Sequence, residues 1–356
     1  MESLRESGHK MKQKSKPARP KATIFDVAEH AGVSIKTVSR VVNKEPNVRQ
    51  QTRDKVLESV GALRYQPNAA ARELSGKRSR IIGLIYENAE EFSYLNDVFN
   101  GALGICEPAG FSLLLRPLTL PDPDIADRIR QFATNARVEG VVLPAPMGDL
   151  PGVAALLREM RIPFAAITPR EADPDEINIH CNDEAASFSL TELLIEQGHR
   201  AIGFIKGHPD HGASAKRFAG YRRALKTHRI AYAPRLVRQG YFDFDSGRAA
   251  TGRLLDLAEP PSAILASNDD MAAGAIFEAR ERGLAVPGEL SIAGFDDTRF
   301  STRIWPPLTT VRQPIIQMAQ TAAALLIDKL NGRAPAAPRT TFECEVVIRD
   351  STAPLY

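Results

Sequence analysis

The chain has 356 residues, of which 43% are hydrophobic, with 46 Lys/Arg against 43 Asp/Glu and a formal net charge of +3. That length exceeds one typical domain of about 100–200 residues, and no run approaches the roughly 18 consecutive apolar residues of a membrane span. The near-neutral total hides an asymmetry: residues 1–80 carry 18 Lys/Arg against 8 Asp/Glu and the rest 28 against 35, so a head of net +10 precedes a body of net −7, which points to a polyanionic partner for the head alone.

Residues 1–22 begin "MESLRESGHKMKQKSKPARPK". With no apolar core this stretch is neither a secretory signal nor an anchor, and its six Lys/Arg between Lys10 and Lys21 read as a disordered basic tail, either a solubility tail or a nonspecific attractor of DNA. The three cysteines, Cys106, Cys181 and Cys344, lack any CxxC or histidine ligand spacing, so they read as buried free thiols in a reducing cytoplasm.

The stretch "TIFDVAEHAGVSIKTVSRVVN" predicts two short helices with a tight turn between them. Thr23 and Asp26 fit a capping box that opens the first helix, and Val27 and Ala28 face inward. Gly32 supplies the left-handed conformation that ends it, with Val33 plugging the corner. Ser34 caps a second helix with Val38, Val41 and Val42 as its buried stripe. The opposite face, Ile35, Lys36, Thr37, Ser39, Arg40 and Asn43, is mostly polar and basic, the kind a helix-turn-helix lays in the major groove. A third helix is expected over about Gln50 to Leu63, with Val56, Leu57 and Val60 toward the core and Gly61 weakening its last turn by roughly 1 kcal/mol. Next comes "PNAAARELSG", Pro67 to Gly76. Its residues favour helix, yet isolated helices need roughly 12–15 residues to persist in water, and its one large apolar side chain is Leu74.

From Arg80 onward short apolar runs ("IIGLIYE", "FSLLLRP", "EGVVLPA", "PFAAIT", "AIGFIKG", "PRLVRQG", "AILASND", "LSIAGFD") alternate with helical stretches near 95–109, 123–137, 151–160, 183–197, 213–228, 246–258 and 268–282. Continuous apolar runs read as buried parallel strands, so the body is expected to be two doubly wound α/β lobes. Ligands of such folds bind beyond the carboxyl ends of strands. One such loop, "GHPDHGASAKRFAGY", is one residue away from a phosphate-binding G-x-x-x-x-G-K-[ST] loop, with Ala213 in the lysine's place, which argues against nucleotide hydrolysis. His208 and His211 have no further ligand at metal spacing and read as loop histidines facing ligand or solvent. Phe92, Tyr94 and, at the end of "PFAAIT", Thr168 lie at further strand ends.

The quoted headpiece, followed by "TRDKVLESVGALRYQPNAAARELSGKRS", resembles the lactose/galactose repressor (LacI/GalR) family, and the likeness runs to about residue 349. The resemblance implies a multidomain chain: a basic tail at 1–22, an all-α helix-turn-helix headpiece at 23–66, and a hinge helix and linker at 67–80. A periplasmic-binding-protein-like α/β body follows at 81–349, its N-lobe about 81–178 and 309–340, its C-lobe about 179–308 and 341–349, then a short tail at 350–356. It implies contacts with pseudo-palindromic double-stranded operator DNA from Thr23, Ser34, Ile35, Lys36, Thr37, Ser39, Arg40, Asn43, Asn68, Ala71 and Leu74. The leucine would wedge into the minor groove as two hinges pair and fold on DNA. Lys36 or Arg40 can donate to guanine and Ile35 can meet a thymine methyl, or the basic pair can grip phosphate. Arg49 stands where the family usually has the serine that caps the third helix.

For the body the resemblance implies a sugar effector, a mono- or disaccharide, with no cofactor and no metal. Arg217 and Asp269 would hold its hydroxyls and Phe242 would cover its apolar face; alternatively Arg217 pairs Asp269 across the cleft and Phe242 is core. Phe92, Tyr94 and Thr168 complete the expected effector set. A cytoplasmic homodimer is expected, since the hinge needs a partner, "WPPLTTVRQP" resembles the family's stretch near the dimer face, and seven residues after the last strand leave no room for a tetramer-forming heptad segment. A sugar-binding protein of periplasmic type is the alternative, lacking the export signal it would need, and no motif supports an enzyme.

Overall fold

The computed structural model describes residues 22–42, 48–65, 78–87, 93–150, 152–173, 175–334 and 339–355. The expected basic tail, the hinge segment from Asn68 through Leu74, and the candidates Asn43, Ala71 and Phe92 lie outside them. The described residues divide into two units that meet at Ser79 and Arg80.

The first unit is a three-helix cluster: α1 (Ile24–Ala31), α2 (Ile35–Val42) and α3 (Gln50–Ala62). The capping box forms as expected, Thr23 N donating to Asp26 Oδ2 at 2.7 Å and Asp26 N to Thr23 Oγ1 at 3.4 Å. Gly32 adopts φ 65°, the region where a Cβ is penalised. Ser34 Oγ accepts from Thr37 N at 3.2 Å at the start of α2. Val27, Ala28, Val38, Val41, Val56 and Tyr65 form the buried centre. One expectation is corrected. Leu57 is 51% exposed, and the side chain one turn on from Lys55 that turns inward is Ser59, which donates to Lys55 O at 2.8 Å and lies 3.0 Å from His30 Nδ1. A helix turns about 100° per residue, so Val56 and Ser59 share a face that excludes position 57. Arg49 makes no side-chain cap at the start of α3.

The second unit begins with β1 (Ile81–Glu87), α4 (Ser93–Cys106), β2 (Ser112–Leu118), α5 (Ile125–Asn135), β3 (Gly140–Pro144), α6 (Val153–Glu159), β4 (Phe164–Ile167) and β5 (Ile177–Cys181). It continues through α7 (Asp183–Glu196), β6 (Ile202–Lys206), α8 (Gly212–Thr227), β7 (Val237–Gln239), α9 (Phe244–Leu255), β8 (Ala263–Ala266), α10 (Asp269–Glu281) and β9 (Ser291–Ala293). It ends with β10 (Thr310–Arg312), α11 (Ile315–Leu330), β11 (Arg339–Phe342) and β12 (Glu345–Val347). Two parallel sheets result, ordered β11-β5-β4-β3-β1-β2 and β7-β6-β8-β9, with β10 and β12 paired antiparallel apart from both.

Each sheet is covered on both faces, and alternate strand residues serve different cores. In β1, Ile82 and Leu84 join the cluster that holds α4 and α11, while Ile85 joins that of α5 and α6. In β8, Ala263 and Leu265 face α7 and α8, and Ile264 and Ala266 face α9 and α10. This two-sided burial is why the strands read as unbroken apolar runs.

Sequence reasoning did not anticipate α11, nor the strands β5, β10, β11 and β12. Because β5 and β11 both lie in the first sheet, and Val311 packs in a core of the second lobe, the chain crosses between lobes near Asn182, Gln313 and Glu343 rather than near 178, 308 and 340. Among the described residues no helix is long and apolar enough to cross a membrane.

Helix α11 docks on α4 at Gly101, where an added Cβ would lie 2.5 Å from Ile316 O and 2.8 Å from Ala319 Cβ; at Gly104, one turn on, nothing lies within 4 Å. Gly101→Ala is therefore expected to lower stability by about 1–3 kcal/mol through overpacking. Gly104→Ala is expected to leave it unchanged or raise it by up to about 1 kcal/mol through helix propensity. Urea unfolding of the two variants beside the parent checks the pair.

Candidate effector cavity and DNA-facing helix

A cavity of about 380 Å³ opens at the carboxyl ends of both sheets. Glu87 ends β1, Ala145 follows β3 and Thr168 follows β4; from the other lobe His208 follows β6, Tyr241 and Phe242 follow β7, Asn268 follows β8 and Asp296 follows β9. The placement is the one that doubly wound sheets favour. Three of its residues hold left-handed backbone, Thr168 at φ 53°, Phe242 at 69° and Asp296 at 121°, conformations that are costly for non-glycine residues and concentrate where ligands bind.

Arg217 anchors the floor. It is 5% exposed, its Nε donates to Asp183 Oδ1 at 2.8 Å, and its Nη1 donates to Ser267 O at 2.5 Å with Asp296 Oδ1 at 3.4 Å. The guanidinium carbon stands 3.8 Å over the Phe295 ring centre and 5.9 Å from that of Phe242. Burial alone would weaken its hold on the proton, but Asp183 and Asp296 more than offset that and keep it fully charged. Burial pushes Asp296 up to about 6, with Arg217 and the amide of Gln313, whose Nε2 donates to Asp296 Oδ1 at 2.5 Å, pulling it back.

The expected partner Asp269 is elsewhere. It is fully buried and turned away from the cavity, accepting from Thr298 N at 2.9 Å and from Thr310 Oγ1 at 2.6 Å. Burial, reinforced by Asp296, raises its carboxyl well above the usual range. The residues either side of it line the cavity instead: Asn268, whose Oδ1 accepts from Met271 N at 3.0 Å to cap α10, and Asp270. Asp269 as an effector contact is thus corrected, and so is its alternative pairing with Arg217, which Asp183 and Asp296 occupy. The first turn of α10 rotates successive side chains by about 100°, so a shift of one residue exchanges wall for core.

Tyr94, Thr168, Arg217 and Phe242 are brought together as expected. Among the described residues the Tyr94 hydroxyl is buried with no hydrogen bond of good geometry, and burial raises it above its ordinary range although the Thr168 hydroxyl beside it offsets part of that. His208 and His211 form the rim, their ring centres 5.3 Å apart, with Tyr241 5.6 Å from His208 and Phe242 5.2 Å from His211. Burial, then the neighbouring His211, lowers His208. Two contacts cross the cleft here: His211 Nε2 lies 3.6 Å from Glu87 Oε2, and Arg170 Nη2 donates to Pro209 O at 3.0 Å. Glu87, Asn268, Asp270, Asp296 and Gln313 were missed from sequence. Glu87 and Asp296 each follow an apolar run, "IIGLIY" and "LSIAGF", so the strand-end rule applied to every run finds both. Among the described residues no cluster suited to a metal ion exists.

In the first unit, Ile35, Lys36 and Arg40 are exposed on α2, and Thr37 and Ser39 half-buried. Thr23 and Ser34 spend their hydroxyls on helix caps, Ser34 Oγ also lying 2.9 Å from Thr37 Oγ1. The exposed face of α2 therefore offers one long cation near its N-terminus and one near its C-terminus around an apolar contact, while Val38 and Val41 fix the helix from behind.

Residues 23–68 match the family of bacterial regulatory proteins of lacI type, and residues 191–352 match a periplasmic binding protein-like domain. The chain is 34% identical over 310 residues to catabolite control protein A of Priestia megaterium, covering 87% of this chain and 92% of that protein. A lac repressor dimer bound to operator and the anti-inducer ONPF superposes with a TM-score of 0.80 at 29% identity, over 94% of this chain and all of that one. The transcriptional regulator CelR in complex with cellobiose gives 0.71 at 29% identity, over 93% and 99%. The chain belongs to the lacI family of bacterial regulatory proteins and is a DNA-binding transcriptional regulator, not an enzyme.

Proposed function

We propose that this regulator is a repressor of carbohydrate-utilisation genes, acting in the cytoplasm as a homodimer on a pseudo-palindromic operator and released when a mono- or disaccharide fills the cavity. The observation that carries the sugar reading is the lining itself. Aromatic faces (Tyr94, Tyr241, Phe242) stand beside a dense set of donors and acceptors (Thr168, Arg217, Asn268, Asp296, Gln313) around about 380 Å³, matching a ring with an apolar face and a polar rim. The neighbours support it: CelR holds cellobiose, and the lac repressor dimer holds operator together with ONPF.

Switching follows from linkage. A ligand that touches residues of both lobes favours one lobe arrangement over another, and that preference shifts operator affinity by the same free energy. Asn43, Asn68, Ala71 and Leu74 complete the proposed DNA contacts, with Leu74 as the wedge and Thr23, Ser34, Ile35, Lys36, Thr37, Ser39 and Arg40 supplied by the headpiece.

Tyr94→Phe separates binding from folding. Removing a buried hydroxyl that has no well-formed hydrogen bond among the described residues is expected to leave stability unchanged or slightly higher. Loss of a sugar hydrogen bond worth about 0.5–1.5 kcal/mol is expected to weaken the effector about three- to tenfold. Calorimetric titration and thermal unfolding of the same preparation check both halves. Arg217→Ala is a poorer test, since leaving Asp183 and Asp296 buried without their cation is expected to lower stability by about 3–5 kcal/mol.

Lys36→Ala distinguishes the two readings of α2. If the lysine reads a base, the variant is expected to relax preference at one operator position, with discrimination there falling by about 1–3 kcal/mol. If it grips phosphate, binding weakens evenly across sequences and the salt slope drops by about 1. Binding to a library of single-substitution operators at two salt concentrations decides between them.

A further inference from the structure

We infer that the effector is a sugar carrying neither carboxylate nor phosphate, and that Glu87 and Asp270 are the residues that turn acidic sugars away. This rests on the cavity being the sugar site and adds the charge class of its ligand. Among the described residues that line the cavity, Arg217 is the sole guanidinium or ammonium. Its Nε and Nη1 are already held by Asp183, Ser267 O and Asp296, so its charge is paired with protein carboxylates before a ligand arrives. Burial and the neighbouring His211 both disfavour a cation at His208.

Helix N-termini are the other common anion seats, and three face this cavity. That of α9 is capped by Asp243, whose Oδ1 accepts from Ser246 N at 2.7 Å. That of α10 is capped by Asn268 and already carries Asp270 in its first turn, 8% exposed. The N-terminus of α8 has no side-chain cap, but its preceding residue, His211, faces Glu87 across the cleft at 3.6 Å. A hydroxyl oxygen can accept from that end at no electrostatic penalty, whereas a carboxylate or phosphate placed there meets Glu87 in a partly desolvated cleft, where like charges oppose each other strongly. The guanidinium of this cavity is thus already paired with carboxylates, and each helix N-terminus that faces it has a side-chain cap or Glu87 beside it.

The full chain is titrated calorimetrically with glucose, galactose and mannose, each as the neutral sugar, the uronate and the 6-phosphate, and with cellobiose. The neutral member of the binding series is expected to bind at least about tenfold more tightly than its uronate and its phosphate. Glu87→Gln and Asp270→Asn are each expected to narrow that ratio by strengthening acidic sugars relative to the neutral one, a change in ratio that a purely structural role would not produce. A uronate or phosphate that binds the parent protein as tightly as its neutral counterpart overturns the inference, and so does a ratio unmoved in both variants. Absence of binding by every sugar in the panel, charged or not, overturns the sugar reading itself.

Discussion

A guanidinium with 5% of its surface exposed needs matched charge around it, and the second unit is built about that requirement. Asp183 opens α7 immediately after the first crossing between lobes, Asp296 follows β9, and Gln313 sits at the second crossing. Gln313 bonds Asp296 through one end of its amide and lies 3.1 Å from Cys181 Sγ through the other. Arg217 is therefore held by the same short segments that connect the lobes. A ligand that rearranges hydrogen bonds at Arg217 or Asp296 acts directly on the connections, and no long chain of intermediaries is needed to turn occupancy into lobe geometry.

The two units divide labour by charge as well as by fold. The positive excess lies wholly in residues 1–80, half of it in residues 1–22, and the remainder is net negative, so attraction to DNA is confined to the residues that precede the body and the body is repelled from the same surface. The described headpiece relies on a centre of six buried side chains, a small core, and its local devices count accordingly: a reciprocal cap at Thr23, a left-handed glycine at position 32, a serine cap at the second helix.

What could be read in the sequence follows how strongly local chemistry determines each feature. The headpiece helices were legible because caps and a glycine turn are written in single residues. The doubly wound body was legible because strands buried on both sides leave no polar alternation. Side-chain direction was not: Leu57 and Ser59, or Asp269 and Asp270, differ only in which way a helix turns them, and one residue of offset moved the expected aspartate from cavity wall to core. Glu87 and Asp296 are a different case: each directly follows an apolar run, "IIGLIY" and "LSIAGF", so strand-end position marks both although neither belongs to a recognisable motif. Helix α11 went unrecognised although "IIQMAQTAAALLIDKL" is strongly apolar, since its partners, Leu95, Val98 and Ala102, lie more than two hundred residues earlier.

That separation has a consequence for the order in which the protein can form on the ribosome. The first sheet's central core includes Ile315, Met318, Ala319, Ala322 and Leu326, and its outer strand β11 ends at Phe342. The second lobe's sheet and its flanking helices α7 to α10 are encoded wholly between residues 183 and 293. Chains emerge from the N-terminus and domains generally fold as units, so the headpiece has its whole core early, the sheet and helices of the second lobe come next, and the first lobe, though it starts first in sequence, gains its central core only when α11 has emerged. Until α11 leaves the exit tunnel, the apolar faces of β1, β3, β4 and α4 wait uncovered. Truncated products that end before residue 315 are consequently the forms of this chain most exposed to aggregation and to capture by chaperones.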